Sequence, residues 1–191
     1  MRVTGGRYRG RRLQVPPGDI RPVTDRMREA LFNVLAARGV VLEGCRFLDL
    51  FSGTGIMAVE AASRGAAAVD LVERDPRKRS YLRRNTGFVA ARVAIHVMPC
   101  ERYLARARRN AAAGWHLVFA DPPYAYRRKA ALLASVAACA GLRAGSLVVV
   151  HTPAGEVLAA PPRLACVDRR RYGGAALALF SVADEAEYGG A

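Results

Sequence analysis

From Arg46 to His151 the chain alternates short apolar runs with longer stretches of helical period. Arg46–Leu50, Ala68–Glu73, Val93–Val97, Trp115–Ala120 and Ser146–His151 are strand-like. Between them Gly55–Arg64, Asp75 to about Val89, Glu101–Ala112 and Arg127–Ala140 read as helices. Strands separated by helices of this length imply β-α-β units and a parallel sheet covered on both faces, an α/β fold. Two further runs, Arg163–Arg171 and Ala175–Val182, flank Tyr172-Gly173-Gly174 and predict a terminal antiparallel hairpin.

Ahead of this alternation, residues 1–22 form a Gly/Arg/Pro-rich leader without helical period. Short β-branched runs around its glycines predict a small β-hairpin. Thr24 or Asp25 can cap a helix whose apolar positions Met27, Ala30, Leu31, Val34 and Leu35 form one stripe, and Gly39 ends it. The expected organisation is a basic extension, 1–22, followed by one domain, 23–191, a length sufficient for a sizeable core.

Charge narrows the partners. The chain carries 30 basic and 16 acidic residues, a net charge of +14, and only Lys78 and Lys129 among the basic residues are lysines. Arg2, Arg7, Arg9, Arg11, Arg12, Arg21, Arg26 and Arg28 face only Asp19 and Asp25 in the same stretch, and Arg74, Arg77, Lys78, Arg79, Arg83 and Arg84 form a second cluster. Such an excess is the electrostatic footprint of a polyanion, and guanidinium forks onto phosphate and stacks on bases. No apolar run reaches 18 residues, which argues against a membrane span, and no apolar stretch follows the first residues, so the expected location is the cytoplasm. Cys45, Cys100, Cys139 and Cys166 lack metal or redox spacing and are expected to be buried, reduced and inert. His96, His116 and His151 are scattered, and structural roles are expected for all three, with no metal.

Parallel sheets bind ligands at the carboxyl ends of their strands, and three strand ends carry chemistry here. In Leu48-Asp49-Leu50-Phe51-Ser52-Gly53-Thr54-Gly55 a strand runs through a glycine turn into a helix, where a ligand can lie against bare backbone. Gly53-x-Gly55-x-x-Ala58 also satisfies the dinucleotide pattern, but the Asp49 carboxylate would repel a pyrophosphate and attract a cationic head. Glu73 ends the next strand, 24 positions after Asp49, where a carboxylate can accept both hydroxyls of an adenosine ribose. Asp121-Pro122-Pro123-Tyr124 follows the apolar run Leu117–Ala120. The prolines stiffen this turn and fix two acceptors, the Pro122 carbonyl and the Asp121 carboxylate. Two aimed acceptors bind the hydrogens of an exocyclic amine and favour a pyramidal nitrogen able to attack a methyl group. Tyr124 offers a face on which an extruded base can stack.

The Asp-Leu-Phe-Ser-Gly-Thr-Gly and Asp-Pro-Pro-Tyr segments resemble those of class I S-adenosylmethionine-dependent amino-methyltransferases. Gly5-Gly-Arg-Tyr-Arg-Gly-Arg-Arg-Leu13 and Arg21-Pro-Val-Thr-Asp-Arg-Met-Arg-Glu-Ala-Leu-Phe-Asn33 narrow this to the RsmD-type bacterial 16S rRNA (guanine-N2)-methyltransferases, a resemblance that spans nearly the whole chain. It implies a Rossmann-like, seven-stranded, mostly parallel sheet with helices on both faces, a terminal hairpin and an N-terminal hairpin that engages the substrate. It also implies S-adenosylmethionine as methyl donor and a guanine N2 of 16S rRNA, in the 30S subunit or an assembly intermediate, as acceptor; a monomer is expected. Carried over by position, Asp49, Phe51, Ser52, Gly53, Gly55, Glu73 and Arg74 bind the cofactor, and Cys100 and Glu101 lie near adenine. Asp121, Pro122, Pro123 and Tyr124 hold the guanine. Arg7, Arg9, Arg11, Arg12, Thr24, Arg26 and Arg28 contact the substrate, although Arg26 and Arg28 could equally be structural arginines of the first helix.

Other classes compete with this reading. Asp-Pro-Pro-Tyr is shared with adenine-N6 and cytosine-N4 methylases, so a DNA or RNA adenine-N6 enzyme is the nearest alternative. Pro99-Cys100 matches the nucleophile of pyrimidine-C5 methylases, but there the cysteine follows the fourth strand, where this chain has Asp121–Tyr124. An NAD-type oxidoreductase is opposed by Asp49 and by the absence of length for a separate substrate domain. A non-catalytic RNA-binding module is opposed by the intact acceptor turn.

Overall fold

In the computed structural model, which describes residues 1–17, 23–110 and 114–182, every strand and helix of the expected alternation is present. The Arg21-Pro22 start of the second leader motif and the last two residues of the expected 101–112 helix lie outside the described residues. The elements fall into two units, Met1–Pro99 and Cys100–Ala191.

The first unit holds α1 (Asp25–Ala37), β1 (Arg46–Leu50), α2 (Ile56–Ser63), β2 (Ala68–Glu73), a 3-10 turn (Pro76–Lys78), α3 (Arg79–Thr86) and β3 (Arg92–Val97). Thr24, not Asp25, caps α1: its hydroxyl accepts from the Met27 N–H at 3.2 Å. Met27, Leu31, Val34 and Leu35 of the stripe are buried, and Ala30 is half-buried. The strands run parallel in the order β3-β2-β1. α2 is buried on every side, which explains why its sequence, IMAVEAAS, shows no polar face. α3 stops at Thr86 and falls short of the expected Val89, because Gly87 follows and the Thr86 hydroxyl closes the last turn on the Leu82 carbonyl.

The leader doubles back in a short antiparallel pairing: Arg2 bridges Arg12, the Val3 N–H reaches the Arg11 carbonyl at 2.9 Å and the Leu13 N–H the Met1 carbonyl at 3.1 Å. Its turns are also fastened to the unit. The Arg7 N–H reaches the Ser63 carbonyl at 2.7 Å, and the Tyr8 N–H reaches Ser63 Oγ at 2.8 Å. Gly6, at φ 73°, is pressed so close to α2 that a Cβ there would lie 1.9 Å from the Ser63 carbonyl oxygen, so no other residue fits. Gln14 and Asn85 of α3 exchange two bonds, Gln14 N–H to Asn85 Oδ1 at 2.9 Å and Asn85 Nδ2 to the Gln14 carbonyl at 2.8 Å. Val3 and Leu13 are buried beneath.

Glu60, wholly buried on α2, joins these pieces. It accepts from the Thr4 N–H at 2.8 Å, the Thr4 hydroxyl, Arg28 Nε at 3.1 Å and the Arg64 guanidinium. Arg28 therefore departs from the substrate role expected for it. It has no exposed surface, and its guanidinium also donates to the carbonyls of Val23 and Arg2 and to Asp25. A buried guanidinium is tolerated when its nitrogens find partners, and all three nitrogens of Arg28 do here. Arg26, two residues earlier, is exposed.

The second unit holds α4 (Cys100–Ala107), β4 (Trp115–Ala120), α5 (Lys129–Ala137), β5 (Leu142–Pro153), β6 (Leu164–Tyr172) and β7 (Ala175–Val182). The strand order is β4-β5-β7-β6: β4 and β5 are parallel, and β7 inserts between β5 and β6, antiparallel to both. The strands are thus mixed in direction. β7 (AALALFSV) is buried along nearly its whole length, as a central strand should be. β6 carries Arg169, Arg170 and Arg171 and suits an edge. Cys166 on β6 is exposed, contrary to the expectation of buried cysteines, while Cys45, Cys100 and Cys139 are buried. Among the described residues no helix is long and apolar enough to cross a membrane.

Replacing Arg28 with Ala leaves the buried Glu60 with Arg64 and Thr4 but without its second cation. Removing one partner of a buried pair costs about 3–5 kcal/mol, and the partners that remain place the expected loss near the lower end, about 3 kcal/mol in urea unfolding. Arg26→Ala is expected to change stability by less than about 0.5 kcal/mol. Equal, small effects of the two substitutions would contradict the assignment.

Candidate functional site

In the first unit the end of β1 is built by its own turn. Asp49 is buried on β1 beside Leu71 of β2. The Ser52 hydroxyl donates to the Asp49 carbonyl at 2.8 Å, and the Ser52 N–H reaches the Val72 carbonyl at 3.0 Å. Phe51 adopts φ 64°, a strained conformation for a residue with a side chain, which turns the chain out of the strand. Gly55, at φ 79°, starts α2, and a Cβ there would press on Leu71 and Leu82 at 3.1 Å. The glycine is therefore needed both for the turn and for the seating of the helix.

Glu73 at the end of β2 ties the two strand ends together. Its Oε2 accepts from the Gly53 N–H at 2.9 Å, its Oε1 accepts from the Asp75 N–H at 3.0 Å, and Lys78 Nζ stands 3.4 Å away. A carboxylate has about four acceptor positions, so these bonds leave capacity for an incoming hydroxyl. Arg74 is exposed beside it. Asp75 caps the following turn, and the Arg77 guanidinium bonded to it holds its carboxyl down at about 2.

In the second unit β4 delivers Asp121 and β5 delivers His151, in phase because Ala120 pairs with Val150. Asp121 Oδ1 lies 2.6 Å from His151 Nδ1. Pro122 is buried and Pro123 exposed, and the Pro123 carbonyl accepts the Tyr126 N–H at 2.8 Å, which closes the turn. Tyr124 is 46% exposed. Its ring centroid is 6.1 Å from that of His151, with the planes tilted by 56°. Cys100 is the buried first residue of α4. Glu101 Oε1 accepts the Tyr126 hydroxyl at 2.7 Å, and burial together with this bond pushes the phenol above its usual range. Sequence reasoning gave Tyr126 no role and placed His151 among structural histidines. The legible sign for His151 was its position, ending the strand after the one that carries Asp121.

The leader arginines Arg7, Arg9, Arg11 and Arg12 are all exposed, as is Thr24. Arg11 lies 3.6 Å over the Phe88 ring, Tyr8 meets Phe88 edge-on at 5.3 Å, and the Tyr8 hydroxyl accepts the Ala90 N–H. Arg84 of α3 bonds to Gln14, so the two arginine clusters share the first unit's surface. Guanidinium groups braced on aromatic rings in this way are pre-ordered for phosphate.

The family model described as conserved hypothetical protein 95 matches residues 1–181. Among curated relatives, the ribosomal RNA small subunit methyltransferase D of Escherichia coli (strain K12) is 39% identical over 126 residues, 65% of this chain and 60% of that protein. The match thus spans less than two thirds of that relative's length. YlbH of Bacillus subtilis (strain 168) is 36% identical over 137 residues, 70% of this chain and 72% of that one. Among solved structures, yhhF of Escherichia coli superposes with a TM-score of 0.81 at 29% identity, covering 97% of this chain and 99% of that one.

A covalent role for Cys100 would require a reachable thiolate, and the structure buries that residue. Burial also pushes the Cys45 and Cys139 thiols up to about 11, which keeps them protonated at neutral pH. A thiol reagent at about pH 8 is expected to titrate one cysteine of the native chain, Cys166, and all four after unfolding. Fast modification of Cys100 in the native chain would contradict this.

Proposed function

We infer that this chain, which belongs to the conserved hypothetical protein 95 family, transfers a methyl group from S-adenosylmethionine to the exocyclic N2 of a guanine in 16S rRNA, within the 30S subunit or its assembly intermediate. The observation that carries the reading is the Asp121-Pro122-Pro123-Tyr124 turn, whose carboxylate is held at 2.6 Å by His151 and whose tyrosine is 46% exposed.

S-adenosylmethionine supplies an electrophilic methyl on a sulfonium. The chain's own residues recognise and orient. Gly53 and Gly55 bring bare backbone to the donor, Asp49 supplies negative charge beside its cationic head, and the remaining acceptor capacity of Glu73 takes ribose hydroxyls. A carboxylate already gripping two backbone N–H groups is suited to this, because its direction is set before the ligand arrives. Phe51, Ser52 and Arg74 are proposed for the same ligand, and Cys100 and Glu101 for its adenine.

Asp121 and the Pro122 carbonyl accept the two N–H bonds of the guanine amine. The nitrogen lone pair is thereby drawn out of conjugation and can take the methyl carbon while the carbon–sulfur electrons stay with sulfur. The N–H proton then passes to the Asp121 carboxylate that accepts its hydrogen bond, and from there to solvent. The turn is rigid before substrate arrives, so little reorganisation accompanies the developing charge. Tyr124 stacks on the guanine, and Arg7, Arg9, Arg11, Arg12, Thr24 and Arg26 grip the surrounding phosphates. The protein acts as a monomer in the cytoplasm.

Asp121→Ala is expected to lower kcat on undermethylated 30S subunits by at least about 100-fold, with S-adenosylmethionine affinity unchanged by calorimetry. Near-normal turnover would refute the role. Replacing Arg7, Arg9, Arg11 and Arg12 together with Ala should weaken 30S binding and flatten its salt dependence, by up to about 0.7 in log–log slope per arginine removed. An unchanged slope would take the leader out of the interface.

A further inference from the structure

We propose that His151 is a positioning residue that fixes the rotamer of the Asp121 carboxylate, an inference that rests on the role given to Asp121 above. The two atoms, His151 Nδ1 and Asp121 Oδ1, lie 2.6 Å apart. Two lone pairs cannot face each other at that distance, so a proton lies between them. A carboxylate has none to give, and Nδ1–H therefore donates to Oδ1. Nε2 is buried and makes no hydrogen bond among the described residues. A bare lone pair there is a smaller penalty than an orphaned N–H, which favours the same tautomer.

The geometry explains why a fixing group is needed. Asp121 sits where β4 ends, with its side chain 22% exposed, and the terminal torsion of an aspartate is broad. Left alone, the carboxylate would sample many directions. The bond from Nδ1 holds Oδ1 and leaves Oδ2 as the acceptor for an incoming amine. His151 is itself well anchored. It lies on β5, where β7 pairs with it through Leu177, and its side chain is only 9% exposed. The Tyr124 ring stands beside the imidazole, so one histidine braces both the acceptor and the stacking residue of the turn. The nitrogen-to-oxygen contact gives the histidine a function that a core-filling residue lacks.

The test separates a donor at the Nδ1 position from mere bulk. His151→Asn keeps an N–H donor near Nδ1, whereas His151→Gln places its amide near Nε2 and His151→Leu has no donor. Methyl transfer by each full-length variant to undermethylated 30S subunits is measured together with thermal melting and S-adenosylmethionine affinity. Losing the group that orients a functional side chain typically costs about 10- to 100-fold. That loss is expected in kcat for the Gln and Leu variants, with KM for the subunit and donor affinity unchanged, and the Asn variant should stay within about 3-fold of the wild type. Should the Leu variant melt early, the polar Gln variant carries the comparison. A Gln variant as active as the wild type, or an Asn variant as impaired as Gln, overturns the positioning role while leaving the methyltransferase reading intact. A wild-type chain inactive on every nucleic acid overturns both. Nitrogen-15 NMR of the imidazole provides a readout independent of activity: protonated Nδ1 with bare Nε2 supports the assignment, and protonated Nε2 with bare Nδ1 overturns it.

Discussion

A strand buried in a parallel array loses its hydrogen-bond partners where it ends, and side chains must supply what the ladder no longer does. That constraint shapes the functional residues of both units. At the end of β2, Glu73 takes the N–H groups of Gly53 and Asp75. At the end of β1, Ser52 folds back onto the Asp49 carbonyl. At the end of β4, Asp121 is matched by His151. The groups that finish the strands are the same carboxylates that can receive a ligand's hydroxyls or an amine, so folding and recognition draw on one set of acceptors.

The leader illustrates a related economy. Its backbone is tied down by Ser63, Asn85 and Glu60, and this fastening frees its arginine side chains to point outward. Arg28 is the exception that organises the rest: its charge is taken inward to join Glu60, Asp25 and two carbonyls. One arginine thus secures the segment that presents the others. Electrostatic attraction to a polyanion falls with salt, whereas the buried pair is screened little, so the exposed arginines and the buried one respond differently to ionic strength.

Much of this was legible in the sequence because period and punctuation act locally. The Thr24 cap, the stripe from Met27 to Leu35 and the glycine turn after β1 each follow from short-range rules. What remained hidden depends on pairing across the chain. The inward turn of Arg28 requires Glu60, 32 positions away, and the contact of His151 requires the register of β4 against β5. The place of β7 between β5 and β6 likewise depends on pairing across the chain, although its unbroken apolar run already suits a strand covered on both faces. Gly87 was passed over as a helix stop because the pattern on either side of it continued.

The proposed reaction methylates a guanine amine of small-subunit rRNA. Mass mapping of modified nucleotides in 16S rRNA from cells lacking this chain tests it most directly. The account predicts that a single N2-methylguanine is lost and returns when the chain is supplied again. An unchanged set of methylated guanines in the deficient cells would contradict it.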